Sequence, residues 1–399
     1  MDIVGSEFQD DRSLTHGLQH AAARRSGTPH ILQIVGSGAI GGGTVAVLGL
    51  VQGLLRQGFE VTLASERDSY AVHEARRFGA RVLELDFSRR RTTVALARIL
   101  NRYIKKSEVW LAHAHGARAG LPLSLLPATR GVPTVYTVHG FHYPAKPAGV
   151  RHLARAAERI CIARSAATVF VSQYDRDMAF AHRLLEPGHG HYVIYNGAAA
   201  PVHHERRTGL PRFDVAFLGR LQAVKNPMAL ADVLLALRPA SPTMAIIGGG
   251  TLEPALRERV AAVGLQEQVT FFGDQPHAEG LKLLRQARVM LLPSLSEGLP
   301  ISVIEAMHMG IPTIASRVGG VPELIEHGRT GYLTTVGDID GYAIGLQTLL
   351  YDRDLCARLG ARAKQRARSD FTVERNIAEH IALYRRLLRV PADASFGFV

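Results

Sequence analysis

The sequence predicts an α/β protein built as two parallel-sheet domains that face each other across a cleft. Three observations predict it. The chain has 399 residues, more than one hydrophobic core usually fills. From residue 31 onward, short apolar runs alternate with amphipathic stretches, the rhythm of strands joined by crossover helices. That rhythm stops in a turn-rich interval and then restarts.

In the first half, the runs at 31–35, 60–64, 81–85, 109–112, 134–138, 167–171 and 192–195 read as strands. Between them lie helices such as 45–56 and 117–126, whose apolar residues recur every three or four positions. Residues 196–212 hold Pro201, Gly209 and Pro211 and little strand pattern, so the linker is placed there. The runs at 214–218, 244–247, 269–272, 289–292, 313–315 and 331–333 repeat the pattern in the second half. The expected organisation is an N-terminal Rossmann-like domain at 29–198, a linker at 199–209 and a C-terminal Rossmann-like domain at 210–372. A segment at 373–389, with Ile377, Ile381, Tyr384 and Leu388 three to four apart, is expected to close the second domain or to cross back and brace the first. Residues 390–399 read as a flexible tail, and residues 1–28 as a tag or flexible N-terminus in which Gly5-Ser6-Glu7-Phe8 looks like a cloning remnant.

A hydrophobic content of 47% with 21% charged residues suits a folded globular protein. A formal net charge of +12 implies attraction to something anionic: a nucleotide, a phospholipid surface, nucleic acid or a phosphorylated substrate. Cys161 and Cys356 stand far apart without paired spacing, which supports neither a disulfide framework nor a zinc cluster and favours a reducing, cytoplasmic setting. No secretory signal pattern and no bilayer-spanning apolar segment is apparent.

The most informative stretch is 291–325, LLPSLSEGLPISVIEAMHMGIPTIASRVGGVPELI. An apolar strand ends at Pro293, a polar loop carries Glu297 and Gly298, and Pro300 takes the first helical position, where a missing amide hydrogen costs nothing. The helix continues through Glu305 until Gly310 and Pro312 stop it. Such a strand, loop and helix N-terminus leaves amides free for phosphate oxygens. Glu305 is placed to accept ribose hydroxyls, and Glu297 to meet the group beyond the phosphates. Read singly, Glu305 is as easily a solvated helix residue and Glu297 a charge stabilising the helix N-terminus. Beside the Gly319-Gly320 loop and the helix opened by Pro322, the ligand reading is preferred.

With Glu297 and Glu305 separated by seven residues, this stretch resembles the signature of glycosyltransferase family 4, retaining enzymes of the GT-B fold. The resemblance extends over nearly the whole chain from Ile31 and is sharper in the second half. FLGRLQAVKN at 217–226 is similar to the segment in which an Arg and a Lys clamp the donor diphosphate, here Arg220 and Lys225, next to Gly219. IIGGGTLEPALRE at 246–258, with Gly249, and FFGD at 271–274 resemble the loops around the nucleotide base. Gly298, Leu299 and Pro300 join Glu305 in the implied donor site. IVGSGAIGGG at 34–43 lies between a strand and a helix, and the resemblance makes Gly42 and Gly43 neighbours of the diphosphate. YTVHGFHYP at 136–144 puts His139 where the family has a histidine that contacts the transferred sugar; the plainer alternative is a histidine closing a strand. His115 and His142 are assigned to the acceptor side.

The resemblance implies a retaining hexosyltransferase that moves a hexose or N-acetylhexosamine from a nucleotide sugar, UDP in the first place, to a hydroxyl of a saccharide or lipid-linked saccharide in bacterial glycan biosynthesis. Glu297, Arg220, Lys225 and His139 are its implied catalytic residues. No metal or other cofactor is expected, because the paired cations offset the charge of the leaving diphosphate. The HGFHYP segment is similar to that of enzymes extending lipid-linked polysaccharide precursors. Basic stretches at Arg89-Arg90-Arg91, Lys105-Lys106 and 151–164 make an anionic membrane surface a candidate partner, with peripheral placement on the inner face of the plasma membrane. A nucleotide-sugar epimerase or a sugar phosphorylase shares the architecture, since fold does not fix reaction. A nucleic-acid binder rests on charge alone, without a recognisable binding module, and no nucleic acid is expected as a partner.

Overall fold

The computed structural model describes residues 27–87, 93–125, 131–141, 143–145, 147–200, 212–238 and 240–390. The expectations for most of the N-terminal stretch and linker, for the tail beyond 390, for His142 and for Arg89 to Arg91 lie outside the described residues.

The first half runs β1 (His30–Val35), α1 (Gly42–Arg56), β2 (Glu60–Glu66), α2 (Tyr70–Arg77), β3 (Arg81–Leu85), α3 (Thr93–Lys106), β4 (Leu111–His115), α4 (Ala117–Ser124), β5 (Thr134–Val138), α5 (Ala148–Arg164), β6 (Ala167–Phe170), α6 (Gln173–Ala181) and β7 (His191–Val193). Its strands form one parallel sheet in the order β3-β2-β1-β4-β5-β6-β7. The second half runs β8 (Phe213–Leu218), α7 (Met228–Ala236), β9 (Met244–Ile247), α8 (Glu253–Ala262), β10 (Val269–Gly273), α9 (His277–Leu284), β11 (Ala287–Leu292), α10 (Ile301–Met309), β12 (Thr313–Ser316), α11 (Val321–Leu324), β13 (Gly331–Thr334), α12 (Ile339–Tyr351), α13 (Arg353–Asp370) and α14 (Val373–Leu388). Its sheet is also parallel, in the order β10-β9-β8-β11-β12-β13.

Both sheets reverse their strand order next to their first strand, between β1 and β4 and between β8 and β11. Crevices at the carboxyl ends of strands open at such reversals, which is where doubly wound sheets bind ligands. Crossover helices cover both faces of these sheets, so central strands such as β1 and β12 are buried along their whole length.

Two local differences from the sequence expectation matter for function. The apolar run at 109–112 predicts a strand there, but pairing of Ile31 with Leu111 and Val35 with His115 moves β4 onward and carries His113 and His115 into the sheet. Hydrogen bonds to both rings make their burial tolerable, so the strand need not be apolar. Pro300 is the N-cap of α10, and Ile301 is the first helical residue, one position later than expected.

After α13 the chain returns to the first domain. Ala198 N–H donates to Phe371 O at 3.1 Å beside the 196–198 segment, so the outgoing and returning strands of the connection lie side by side. Leu383, Tyr384 and Leu388 of α14 then enter the same apolar cluster as Ile31, Val47 and Val51.

In the C-terminal domain the end of α10 packs against the middle of α13, where a Cβ on Gly360 would overlap the Gly310 carbonyl oxygen. Intrinsic helix preference favours alanine over glycine by about 1 kcal/mol. A backbone oxygen cannot turn aside as a flexible side chain can, so the steric term should win. Gly360→Ala is expected to lower stability by roughly 1–3 kcal/mol, read as an earlier denaturant midpoint; an equal or later midpoint would show that the helices separate at no cost.

Candidate functional site

Where the two strand-order reversals face each other, two helix N-termini meet. α1 starts at Gly42 and α10 at Ile301, and neither has a side-chain cap. In α10 the Val303 N–H is given to Pro300 O at 3.2 Å; no side chain takes the amides that open either helix, which suits them to a ligand or to water. A Cβ built on Gly42 would lie 3.9 Å from Ile301 Cβ, so the two helix tips touch across the domain boundary. Arg220, exposed just after β8, brings its Nε to 3.4 Å from a Cβ position on Gly41. Lys225 stands on the same side, its Cε 3.9 Å from a Cβ position on Gly219. Each helix end carries roughly half a positive charge. Two of them beside a guanidinium and an ammonium make a seat for a multiply charged anion. A Cβ on Gly43 would meet nothing within 4 Å, so the glycine loop leaves open space there.

The loop between β11 and α10 is held from three sides. Lys225 Nζ and Ser294 Oγ both donate to Glu297 Oε1, each at 2.6 Å. Gly319 approaches so closely that a Cβ would overlap the Glu297 carbonyl oxygen, and Gly320 N–H donates to Gly298 O at 2.8 Å. From the other domain, a Cβ on Gly298 would lie 2.7 Å from His139 O, and one on Gly140, at φ 102°, would lie 2.9 Å from Gly298 N. Backbone thus packs on backbone across the boundary, which glycine alone allows. Leu299 O accepts a hydrogen bond from Asn196 Nδ2 at 2.9 Å, tying the same loop to the start of the linker.

Glu305 lies 5% exposed inside α10, and its Oε1 stands 2.5 Å from His277 Nε2, at the first residue of α9. Burial disfavours the charged imidazole, but the hydrogen bond and charge of Glu305, with Glu74 beyond, outweigh it and raise the His277 pKa. The field of Glu305 also reaches Tyr70 on α2: burial chiefly, then Glu74 and Glu305, raise that phenol's pKa against the pull of Arg77. Glu305 therefore faces the interdomain space, with one carboxylate oxygen given to His277. The FFGD segment ends at Asp274, whose Oδ1 accepts Gly249 N–H at 2.8 Å, three residues short of His277, which the sequence does not single out. A histidine opening a helix next to that loop was the signal available.

His139 Nε2 lies 3.0 Å from His115 Nδ1, and His115 Nε2 lies 2.8 Å from Gln33 Oε1. His115 is 7% exposed, inside β4, with both ring nitrogens engaged. It stands behind His139, and both of its nitrogens are given to protein partners rather than left open toward an acceptor. Burial first, then the neighbouring histidines 113, 139 and 380, push its pKa well below the ordinary range.

Arg220, Lys225, Glu297, Gly298 and His139 are thus gathered with the Gly42 and Ile301 helix tips at one place, and Glu305 flanks them with His277. Three Asp-x-Asp triplets, at 175–177, 338–340 and 352–354, have the spacing of a metal-diphosphate motif. Their leading carboxylates are engaged within the fold: Asp338 and Asp352 cap helices by accepting Gly341 N–H and Leu355 N–H, and Asp175 accepts from the Ser172 hydroxyl and the Phe141 amide.

Comparison with known proteins matches the two halves to two family models. Glycosyltransferase Family 4 covers residues 40–200, and Glycosyl transferases group 1 covers residues 204–366. Among curated relatives, an N-acetyl-alpha-D-glucosaminyl L-malate synthase of Bacillus anthracis is 35% identical over 36% of this chain and 37% of its own. A D-inositol 3-phosphate glycosyltransferase of Corynebacterium glutamicum is 32% identical over 45% of each chain. An amylovoran biosynthesis glycosyltransferase of Erwinia amylovora is 37% identical over 36% of this chain and 35% of its own. The matched segment spans less than half the length of each of these relatives. Among solved structures, a sucrose-phosphate synthase of Thermosynechococcus elongatus superposes with a TM-score of 0.79 at 20% identity, over 91% of this chain and 100% of its own. Anabaena HepE, solved with UDP, gives 0.75 at 20% identity, over 89% and 100%.

The His277 shift has a definite sign. Its folded pKa is raised, so the His277–Glu305 contribution to stability is complete below 6.5 and is lost as the pH rises through the higher folded value. NMR titration of the His277 ring is expected to give a midpoint above 6.5, falling in Glu305→Gln. A wild-type midpoint at or under 6.5 would mean that burial outweighs the carboxylate.

Proposed function

Because the chain belongs to the family 4 glycosyltransferases of GT-B fold, we propose that it moves a hexose or an N-acetylhexosamine from a nucleotide sugar to a hydroxyl of a saccharide or lipid-linked saccharide, with retention at the anomeric carbon, in the assembly of a bacterial glycan. One observation carries the reading: two uncapped helix N-termini meet beside Arg220 and Lys225. A nucleoside diphosphate fits this seat because its oxygens match helix amides and a guanidinium. As the glycosidic bond breaks, negative charge grows on the leaving diphosphate, and donors aimed at it stabilise the transition state more than the ground state.

Glu297 receives Lys225 and Ser294 on a single oxygen, which suits a group that orients Lys225 and sugar hydroxyls better than one that attacks carbon. We therefore favour a front-face substitution in which the departing diphosphate takes the acceptor proton. In this reading His139 is assigned to the sugar side of the anion seat, which the backbone contact between the His139 and Gly298 loops supports. Glu305, with His277, is assigned to the ribose, and Gly219 and Gly249 to the nucleoside. Uridine as the base is supported by Anabaena HepE, described in complex with UDP and with UDP-glucose. The acceptor is not carried over from the relatives, whose names range from inositol phosphate to malate.

In this reading Arg220, Lys225 and the helix dipoles supply the positive charge at the diphosphate, so no divalent metal is required. A donor panel read by thermal shift is expected to show stabilisation by a UDP-sugar, which follows ligand occupancy. Arg220→Ala is expected to lose about 10- to 100-fold in kcat/KM, the size of a charge-assisted hydrogen bond of roughly 1.5–3 kcal/mol. Initial rates should be unchanged in excess chelator, and nucleoside diphosphate should appear only with acceptor present. Loss of activity in chelator would overturn metal independence, and sugar interconversion without diphosphate release would favour an epimerase.

The proposed membrane partner concerns α5, which exposes Val150, Leu153 and Ile160 at 39%, 71% and 41% beside Arg151, His152 and Arg155. Among the described residues no helix is long and apolar enough to cross a membrane. Co-sedimentation with anionic but not neutral vesicles is expected at moderate salt, weakened several-fold by Leu153→Glu. Equal recovery with both vesicle types would make α5 an ordinary solvated helix.

A further inference from the structure

Behind the candidate site, a continuous chain of buried hydrogen bonds runs from His139 to the C-terminal helix. His139 Nε2 lies 3.0 Å from His115 Nδ1, and His115 Nε2 lies 2.8 Å from Gln33 Oε1. Gln33 Nε2 donates to Tyr384 Oη at 3.0 Å. Tyr384 Oη lies 2.6 Å from His113 Nδ1, and His113 Nε2 lies 2.6 Å from Thr137 Oγ1. Gln33, His113 and Tyr384 are each 0% exposed. The strands β1, β4 and β5 supply most of the members, but Tyr384 comes from α14, on the far side of the C-terminal domain in sequence.

With the Gln33 amide oriented so that Nε2 faces Tyr384, the protons in this chain have one consistent arrangement. A side-chain amide oxygen can only accept, so the His115 nitrogen facing Gln33 Oε1 carries a hydrogen. Burial first, then the neighbouring histidines, holds His115 neutral, which leaves its Nδ1 as an acceptor for His139 Nε2–H. Tyr384 accepts from Gln33, so its own hydrogen goes to His113 Nδ1, and His113 passes its Nε2–H to Thr137. His113 is held neutral by burial foremost and by His380 and His139 after it. Every bond therefore points the same way, from His139 to Thr137. Turning the Gln33 amide over would reverse the bonds to both histidines and move the His139 proton to Nδ1.

We propose that Tyr384 is a positioning residue for the transfer reaction: through Gln33 and His115 it holds the His139 proton on Nε2, the nitrogen that faces His115, and so fixes the orientation of the ring. The inference rests on the reading of His139 as a sugar-side residue. Its structural logic is that the chain has two self-consistent directions, related by turning the Gln33 amide over, and the structure holds the one in which Gln33 Nε2 donates to Tyr384 Oη. Tyr384 links that amide to His113, so removing its oxygen uncouples the Gln33 orientation, and with it the His139 tautomer, from the rest of the chain. Since α14 follows the C-terminal domain in the chain, the tautomer in the first domain is set only once the last helix has docked.

The test is long-range ¹⁵N–¹H NMR of the histidine rings in the full chain, with Tyr384→Phe, which removes one oxygen, and Gln33→Met, which keeps the length and loses both hydrogen bonds. In the wild type, His139, His115 and His113 are expected as neutral rings protonated on Nε2. In each variant His139 is expected to populate the Nδ1–H form as well. For Tyr384→Phe, kcat should fall about tenfold, the size of one lost hydrogen bond, with the donor KM within about twofold. An unchanged single His139 tautomer in both variants would overturn the proposal. If neither variant folds, the wild-type spectrum decides alone: a proton on His139 Nδ1 would overturn it. The tautomers are read without donor or acceptor, so they stand apart from the transferase reading, which donor-induced stabilisation of the wild-type chain tests.

Discussion

The site depends on the distance between the two domains, and that distance is set by backbone lying on backbone. Gly140 and the His139 carbonyl rest against Gly298, leaving no room for a side chain on either glycine. At this separation the tips of α1 and α10 meet, and Arg220 reaches the glycine loop of the opposite domain. A gap wider by one methyl group would part the helix ends, and the field of each falls off within a turn. Glu323 adds a second tie, its two carboxylate oxygens accepting the amides of Gln173 and Tyr174 at 2.9 Å each where α6 begins. The connecting segments beside Ala198 and Phe371 form a third. Three contacts of different chemistry thus hold one cleft.

Within the cleft each of the two glutamates is shaped by a basic partner from a neighbouring element. Glu297 is pinned by Lys225 and Ser294, and Glu305 by His277. Buried carboxylates are costly unless paired and hydrogen-bonded. Here the pairing also fixes direction, since each carboxylate presents its remaining oxygen with little freedom. For the proposed transfer that is preorganisation, which spares the reorganisation that mobile charges would require. The buried histidine chain behind His139 follows the same rule with neutral groups: several polar side chains sit inside a parallel sheet because each one's donor meets another's acceptor.

Much of the fold was legible in the sequence. Strands buried on both faces read as largely apolar runs, and those at 134–138 and 244–247 coincide with β5 and β9, while the run at 81–85 coincides with β3, an edge strand still marked by Val82, Leu83 and Leu85. The end of α10 at Gly310 was legible for a similar local reason, because a left-handed residue at φ 71° is a glycine signal. The register of β4 was not, because its last residues are histidines whose burial depends on Gln33 and Tyr384. A pattern of hydrophobicity has no means of marking a polar residue that a distant partner makes soluble in the core.

By itself the sequence determined two parallel α/β domains, the loop carrying Glu297 and the helix carrying Glu305, since periodicity, turn chemistry and helix capping are decided by residues a few positions apart. Only the tertiary structure decided that His277 would meet Glu305, that Arg220 would face Gly41, and that Tyr384 would stand behind His139 through Gln33. Those choices are hydrogen bonds and close approaches between elements up to 351 positions apart, and their geometry exists only when both sheets and the returning helix are in place.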